Sequence, residues 1–126
     1  MKKALGIIAI VLMSNLHAAS QTTHREKDRA DVCKENYRTL FGGEALTGQG
    51  TDPELMDILQ KFIFGEVFQT GNLTIKQREM ITCITLATMQ TLPQLKAHAN
   101  AALNIGVTPE ELREVVYLTA PFIGFP

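Results

Sequence analysis

The chain has 126 residues, 45% of them hydrophobic and 20% charged, with a formal net charge of −1 and two cysteines. That length holds one small domain and excludes a multidomain enzyme. The near-neutral charge excludes a strongly basic nucleic-acid binder, and two cysteines exclude both a disulfide framework and a cysteine-rich zinc module.

Lys2 and Lys3 precede an unbroken apolar run from Ala4 to Met13, and Ser14, Asn15, Leu16, His17, Ala18, Ala19 and Ser20 follow. A basic start, a short apolar stretch and then small residues predict a secretory signal peptide over residues 1–19. The run is about half of the roughly 20 residues that a membrane span needs. The expected destination is the periplasm or the exterior, with no membrane association after cleavage. Removing residues 1–19 takes away Lys2 and Lys3 and no acid, which leaves 10 basic against 13 acidic side chains, a balance of −3. The compartment entered is oxidising.

Residues 20–28 are polar and aperiodic, and residues 20–33 are read as a flexible lead-in and the start of a first helix. That helix runs from about Asp28 to Phe41, with Ala30, Cys33, Tyr37, Leu40 and Phe41 on one face, and Gly42-Gly43 stops it. Thr51-Asp52-Pro53-Glu54 opens a second helix, with Pro in the first turn. Its apolar stripe is Leu55, Ile58, Leu59, Phe62, Ile63 and Val67.

A third helix opens at Thr74-Ile75-Lys76-Gln77, a capping-box pattern, and runs to about Met89. Thr91-Leu92-Pro93-Gln94 caps a fourth, which ends near Ile105 with Gly106 as its C-cap. Thr108-Pro109-Glu110-Glu111 is the clearest helix start of all. The last helix carries Leu112, Val115, Val116 and Thr119 and ends near Pro121. Strand signals are nearly absent, so the predicted class is all-α: a compact domain of about five helices around a central antiparallel hairpin.

The short connection at Gln90 to Leu92 makes the third and fourth helices that hairpin. Residues equidistant from the turn lie at similar heights. His98 is then level with Cys83, and Glu79 sits one turn below Cys83 on the same face. A carboxylate, a thiol and an imidazole thus converge on one groove. Each also has a plainer reading. His98 alone suits a surface or hydrogen-bonded core position, Cys83 a small buried hydrophobe, and Glu79 the acid-favouring start of a helix. No His-Glu-x-x-His, phosphate loop or Gly-x-Ser-x-Gly occurs, and no metal or organic cofactor is expected.

The stretch Leu73-Thr-Ile-Lys-Gln-Arg78-Glu79-Met80, the run Leu95-Lys-Ala-His98-Ala-Asn-Ala-Ala-Leu103-Asn104-Ile-Gly106-Val-Thr-Pro-Glu-Glu111 and the closing Gly124-Phe125-Pro126 resemble the carboxymuconolactone decarboxylase family. Phe62-Ile-Phe-Gly65-Glu-Val67 is similar to the helix before that core, so the resemblance covers about residues 34–126. It implies the alkylhydroperoxidase D-like all-α fold and a homo-oligomer, trimer or hexamer, with its site near subunit contacts. It also implies one of two chemistries, decarboxylation of a small lactone acid or thiol peroxidase activity. His98 matches the motif histidine of both branches, Arg78 an arginine at the helix start, and Glu79 the proton-relay glutamate of the peroxidase branch. The dithiol positions of that branch hold Thr91 and Gln94, and a reducing cycle needs an attacking and a resolving thiol.

The resemblance therefore implies an exported decarboxylase-like enzyme acting on a small carbonyl or lactone acid. His98 is its acid/base, Arg78 holds a carboxylate and Glu79 orients His98. The alternatives are a peroxidase and a non-catalytic oligomeric binding protein. For Cys33 and Cys83, two buried thiols, a disulfide or a redox pair all stay open. The family domain continues past Gly-Phe-Pro with another helix, whereas this chain stops at Pro126. A shortened member or a fragment is expected, with Val115, Val116 and Phe122 exposed for burial against other subunits.

Overall fold

The computed structural model describes residues 28–124. The expected signal peptide, most of the lead-in, and Phe125 and Pro126 lie outside the described residues. Helix α1 covers residues 28–41, α2 Pro53–Gly65, α3 Ile75–Thr88, α4 Leu92–Asn104, α5 Pro109–Tyr117 and α6 Ala120–Ile123, with a 3₁₀ turn at Val67–Gln69 after α2. No strand occurs among the described residues, and the class is all-α as expected.

Local chemistry sets the helix starts. The Asp52 carboxylate accepts from the Leu55 amide at 2.9 Å and caps α2. Thr74 and Gln77 cap α3 reciprocally, and Thr108 and Glu111 do the same for α5. The hydrogen bonds that Glu111 makes with Thr108 hold its carboxyl below the usual carboxylate range. The α3–α4 turn is tight enough to force Gln90 into the left-handed region, at φ 57°. The last expected helix is in fact two. α5 stops at Tyr117, and Pro121 sits in the first turn of α6, where a missing N–H costs nothing.

α3 and α4 form the central hairpin and α5 packs against both. One core cluster joins α1, α2 and α4 through Cys33, Leu40, Phe64 and Ala101, and a second joins Cys83, Ala102 and Val107. The α1–α2 contact is aromatic, with Tyr37 and Phe41 meeting the Phe64 ring edge-on at 5.4 and 5.7 Å. Asn36 donates to the Phe64 carbonyl at 2.7 Å, and Asn104 ties α4 to the Leu40 carbonyl at 2.9 Å.

The stripe of α2 corrects a natural assumption about which face is the core. Leu55, Ile58, Leu59, Phe62 and Val67 are exposed, while Gln60 and Phe64 are buried. Periodicity told which residues share a face, and the aromatic residues of α1 chose the other face. Of the residues expected to be exposed at the C-terminal end, Phe122 is exposed, whereas Val115 and Val116 are half-buried.

Gly65 closes α2 where the backbones of α1 and α2 nearly touch, and a Cβ there would collide with the Arg29 carbonyl. Backbone cannot yield as a side chain can. Gly65→Ala is therefore expected to destabilise the fold by about 1–3 kcal/mol, as overpacking does. Thermal unfolding by circular dichroism checks this, and an unchanged midpoint would show that the helices separate freely.

Candidate active site

Glu79 and Cys83 are the buried residues of α3, and both face α4. Ala101 and Ala102 of α4 are also buried, and their small side chains leave room in the hairpin for larger groups opposite. His98 lies one turn before Ala102. Its Nδ1 meets Glu79 Oε1 at 2.5 Å, so the carboxylate and imidazole of the expected groove are brought together. Glu79 is fully buried, whereas the His98 side chain keeps 19% of its surface exposed. The Phe41 ring stands edge-on to the imidazole, with centroids 5.3 Å apart.

This geometry distinguishes the two ring nitrogens by position. Nδ1 is the ring nitrogen that shares a hydrogen bond with the Glu79 carboxyl. Nε2 is then the nitrogen left to meet an incoming molecule, and the contact with Glu79 holds the orientation of the ring. The second oxygen, Glu79 Oε2, is buried without a hydrogen-bond partner among the described residues. Such an orphan costs about 1–3 kcal/mol.

Arg78 has a different use from the one expected. Its Nε donates to the Leu73 carbonyl at 3.0 Å, Nη1 to Val67 at 3.0 Å and Nη2 to Thr70 at 2.7 Å. Three of its five N–H groups are committed to the segment entering α3. Successive residues on a helix point about 100° apart, so Arg78 turns away as Glu79 turns in. The structure thus brings His98 and Glu79 together and places Arg78 on the loop beside them. Sequence reasoning missed Phe41 as the wall of the imidazole, since its spacing marked only an apolar helix face.

Cys83 sits one turn beyond Glu79 with no exposed surface. Burial, and then the negative charge of Glu79, push its thiol up to about 11. Cys33 donates to the Gln60 carbonyl at 3.3 Å, and burial raises its thiol too. Both cysteines are free and lie in separate core clusters, so of the readings left open the structure shows two buried thiols. Neither has thiolate character at neutral pH, which a nucleophilic cysteine requires. Both thiols are expected to resist a disulfide reagent in the native protein and to react on unfolding. Raised acid constants also set the pH trend. The stabilisation from protonated Cys83 is complete below the ordinary value of 9.0 and is lost as pH rises towards about 11. Rapid reaction of Cys83 in the native state would contradict its burial.

Two apolar concavities flank α4, of about 340 and 700 Å³. They share Leu95, Val116 and Tyr117, and Arg113 is the only charged side chain lining either. Neither is lined by His98 or Glu79. Among the described residues no cluster of His, Cys, Asp and Glu could hold a metal ion. No described helix is long and apolar enough to cross a membrane.

The chain is thus a small all-α domain in which a buried carboxyl group meets a partly exposed histidine across a helix hairpin. Residues 53–126 match the model of the carboxymuconolactone decarboxylase family, and the chain belongs to that family. Over 73 residues the chain is 27% identical to the 4-carboxymuconolactone decarboxylase of Acinetobacter baylyi, a match covering 58% of this chain and 54% of that protein. Over 102 residues it is 31% identical to a nitrosuccinic acid decarboxylase of Metarhizium robertsii, covering 79% of this chain and 68% of that protein. The chain thus spans about half the length of the first relative and two thirds of the second.

Proposed function

We propose that the protein is an exported, homo-oligomeric decarboxylase-type lyase acting on a small carbonyl or lactone acid, with His98 as its acid/base. The observation that carries this reading is the His98 Nδ1–Glu79 Oε1 contact of 2.5 Å, made by a carboxylate with no exposed surface. Both relatives are named for loss of CO₂ from a small acid. The proposal takes over that reaction class and neither named substrate.

The chemistry required is brief. When the C–CO₂⁻ bond breaks, its electron pair stays on carbon and spreads onto the neighbouring carbonyl or lactone. A proton then completes the product. The imidazolium of His98 gives that proton from Nε2, and Glu79 stabilises the cation from the other side. No organic cofactor enters the scheme. Arg78 acts as a positioning residue, because its bonds to Val67, Thr70 and Leu73 hold the loop at the start of α3 and so the height of Glu79.

The buried, protonated Cys83 weighs against a thiol peroxidase at this groove. Substrate screening is the test, with CO₂ release from small lactone and carbonyl acids measured beside hydroperoxide consumption. Release that depends on His98 supports the reading. Hydroperoxide turnover that disappears in Cys83→Ser would replace it with the thiol mechanism, and binding without turnover would replace it with a non-catalytic role.

A further inference from the structure

The lysines and arginines of the described residues are nearly all committed. Arg29, Lys34, Arg38 and Lys61 pair with carboxylates. Lys76 donates to the Gly106 carbonyl, and Arg78 to the carbonyls at the entry to α3. Lys96 and Arg113 alone make no hydrogen bond or ion pair among the described residues. Lys96 is exposed and lines neither apolar concavity. Arg113 lines the concavity of about 340 Å³, whose other walls are apolar but for the Tyr117 hydroxyl.

Two helices build this crevice. Pro109, Leu112, Arg113, Val116 and Tyr117 recur at three- and four-residue steps along α5, so they form one stripe. Leu95, Ala99 and Leu103 recur at four-residue steps on α4 and face it. Counting outward from the short connection between α4 and α5 sets Ala99 at about the height of Arg113, and its methyl group leaves the middle of the crevice open. Val116 and Tyr117 continue the crevice into the concavity of about 700 Å³. Thr119, on that wall, spends its hydroxyl on the Val116 carbonyl.

We propose that the α4–α5 crevice binds a small apolar monocarboxylate, with its carboxylate on Arg113 and its hydrocarbon body along Ala99, Leu95 and Val116. The site is separate from the His98–Glu79 pair and does not depend on the catalytic reading. Charge and shape select the occupant. A guanidinium pairs with a carboxylate through two parallel N–H donors, and Arg113 has all of its donors to give. The walls hold no second cation, so a dianion would leave charge unmatched, and no acid, so an organic cation has no counterpart. A polar body would lose its water against leucine and valine without new hydrogen bonds. Concavities of about 340 and 700 Å³ fall within the range of small-molecule sites, about 300–1,000 Å³, and such sites are mostly apolar with a few placed polar groups.

Isothermal titration calorimetry of the full chain tests this with octanoate and 4-phenylbutyrate, one body aliphatic and the other aromatic. At least one is expected to bind, and the tighter of the two names the body that fits. Octanol lacks the charge and succinate lacks the apolar body, and each is expected to bind at least about tenfold more weakly. Arg113→Gln is expected to weaken the acid by about ten- to a hundredfold, the share of a charge-assisted hydrogen bond, and Arg113→Lys by less. Lys96→Gln, which removes the other unpartnered cation, is expected to leave affinity unchanged. Ala99→Leu is expected to close the crevice and abolish binding at unchanged far-ultraviolet circular dichroism.

Arg113 is exposed, so its variants fold and decide alone if Ala99→Leu does not. Four results overturn the proposal: no binding of either acid up to millimolar concentration, octanol bound as tightly as octanoate, affinity untouched by Arg113→Gln, or a folded Ala99→Leu protein that binds as the wild type does. Binding lost in His98→Gln but kept in Arg113→Gln would move the acid to the catalytic pair and overturn it too. His98-dependent CO₂ release would stand after any of these results, so the two readings fail separately.

Discussion

Replacing His98 with Gln is expected to lower kcat/KM for decarboxylation by about 10²- to 10⁴-fold, the usual share of a general acid. That range corresponds to about 2.7–5.4 kcal/mol of transition-state stabilisation. Gln is a better probe than Ala at this position. Its amide N–H can still donate to Glu79, so the buried carboxylate keeps a partner. What the amide cannot do is release a proton at neutral pH, and that is the only property the proposed step requires. Helicity and thermal midpoint should stay close to wild type. Turnover retained in a folded His98→Gln protein would remove His98 from the mechanism.

The groove that holds this pair is legible in the sequence, for a mechanical reason. The connection between α3 and α4 is so short that counting outward from Gln90 gives the height of each residue on both helices. Glu79, Cys83 and His98 could therefore be assigned to one groove, although the count set His98 level with Cys83 and its partner is Glu79. Capping boxes were legible for a similar reason, since Thr74 with Gln77 and Thr108 with Glu111 lie within one turn of chain.

What could not be read depends on distant neighbours. The period of α2 gives a stripe, but which side is buried depends on Phe64 reaching Tyr37 and Phe41 of α1. Arg78 looked like an anion holder because the positions of three loop carbonyls are not written in its own surroundings. Pro121 looked like a stop, and it opens a separate short helix because Tyr117 had already ended the one before.

The second large effect concerns stability, and it separates Glu79 from His98. In His98→Ala the Glu79 carboxylate loses its hydrogen bond at Oε1 while fully buried, and Oε2 has no partner among the described residues. Breaking a buried pair from one side costs about 3–5 kcal/mol. The lower end, about 3 kcal/mol, is expected here, because the 19% exposure of His98 marks a route by which water can reach the gap. Against a total of about 5–15 kcal/mol this is a large fraction. Adding Glu79→Gln should recover most of it, since a neutral amide tolerates burial far better than an unpaired charge. Glu79→Gln alone should leave stability near wild type or above it. It should still lower turnover by one to two orders of magnitude, as a charged hydrogen bond of about 1.5–3 kcal/mol to the imidazolium is lost. Urea unfolding of the two single variants and the double variant measures the coupling directly. Additive losses would mean that Glu79 and His98 do not act as a pair, and the orphaned oxygen would then need another explanation. A positive coupling, with turnover lowered in both single variants, is the signature of a carboxylate kept buried to hold a charge on its neighbour.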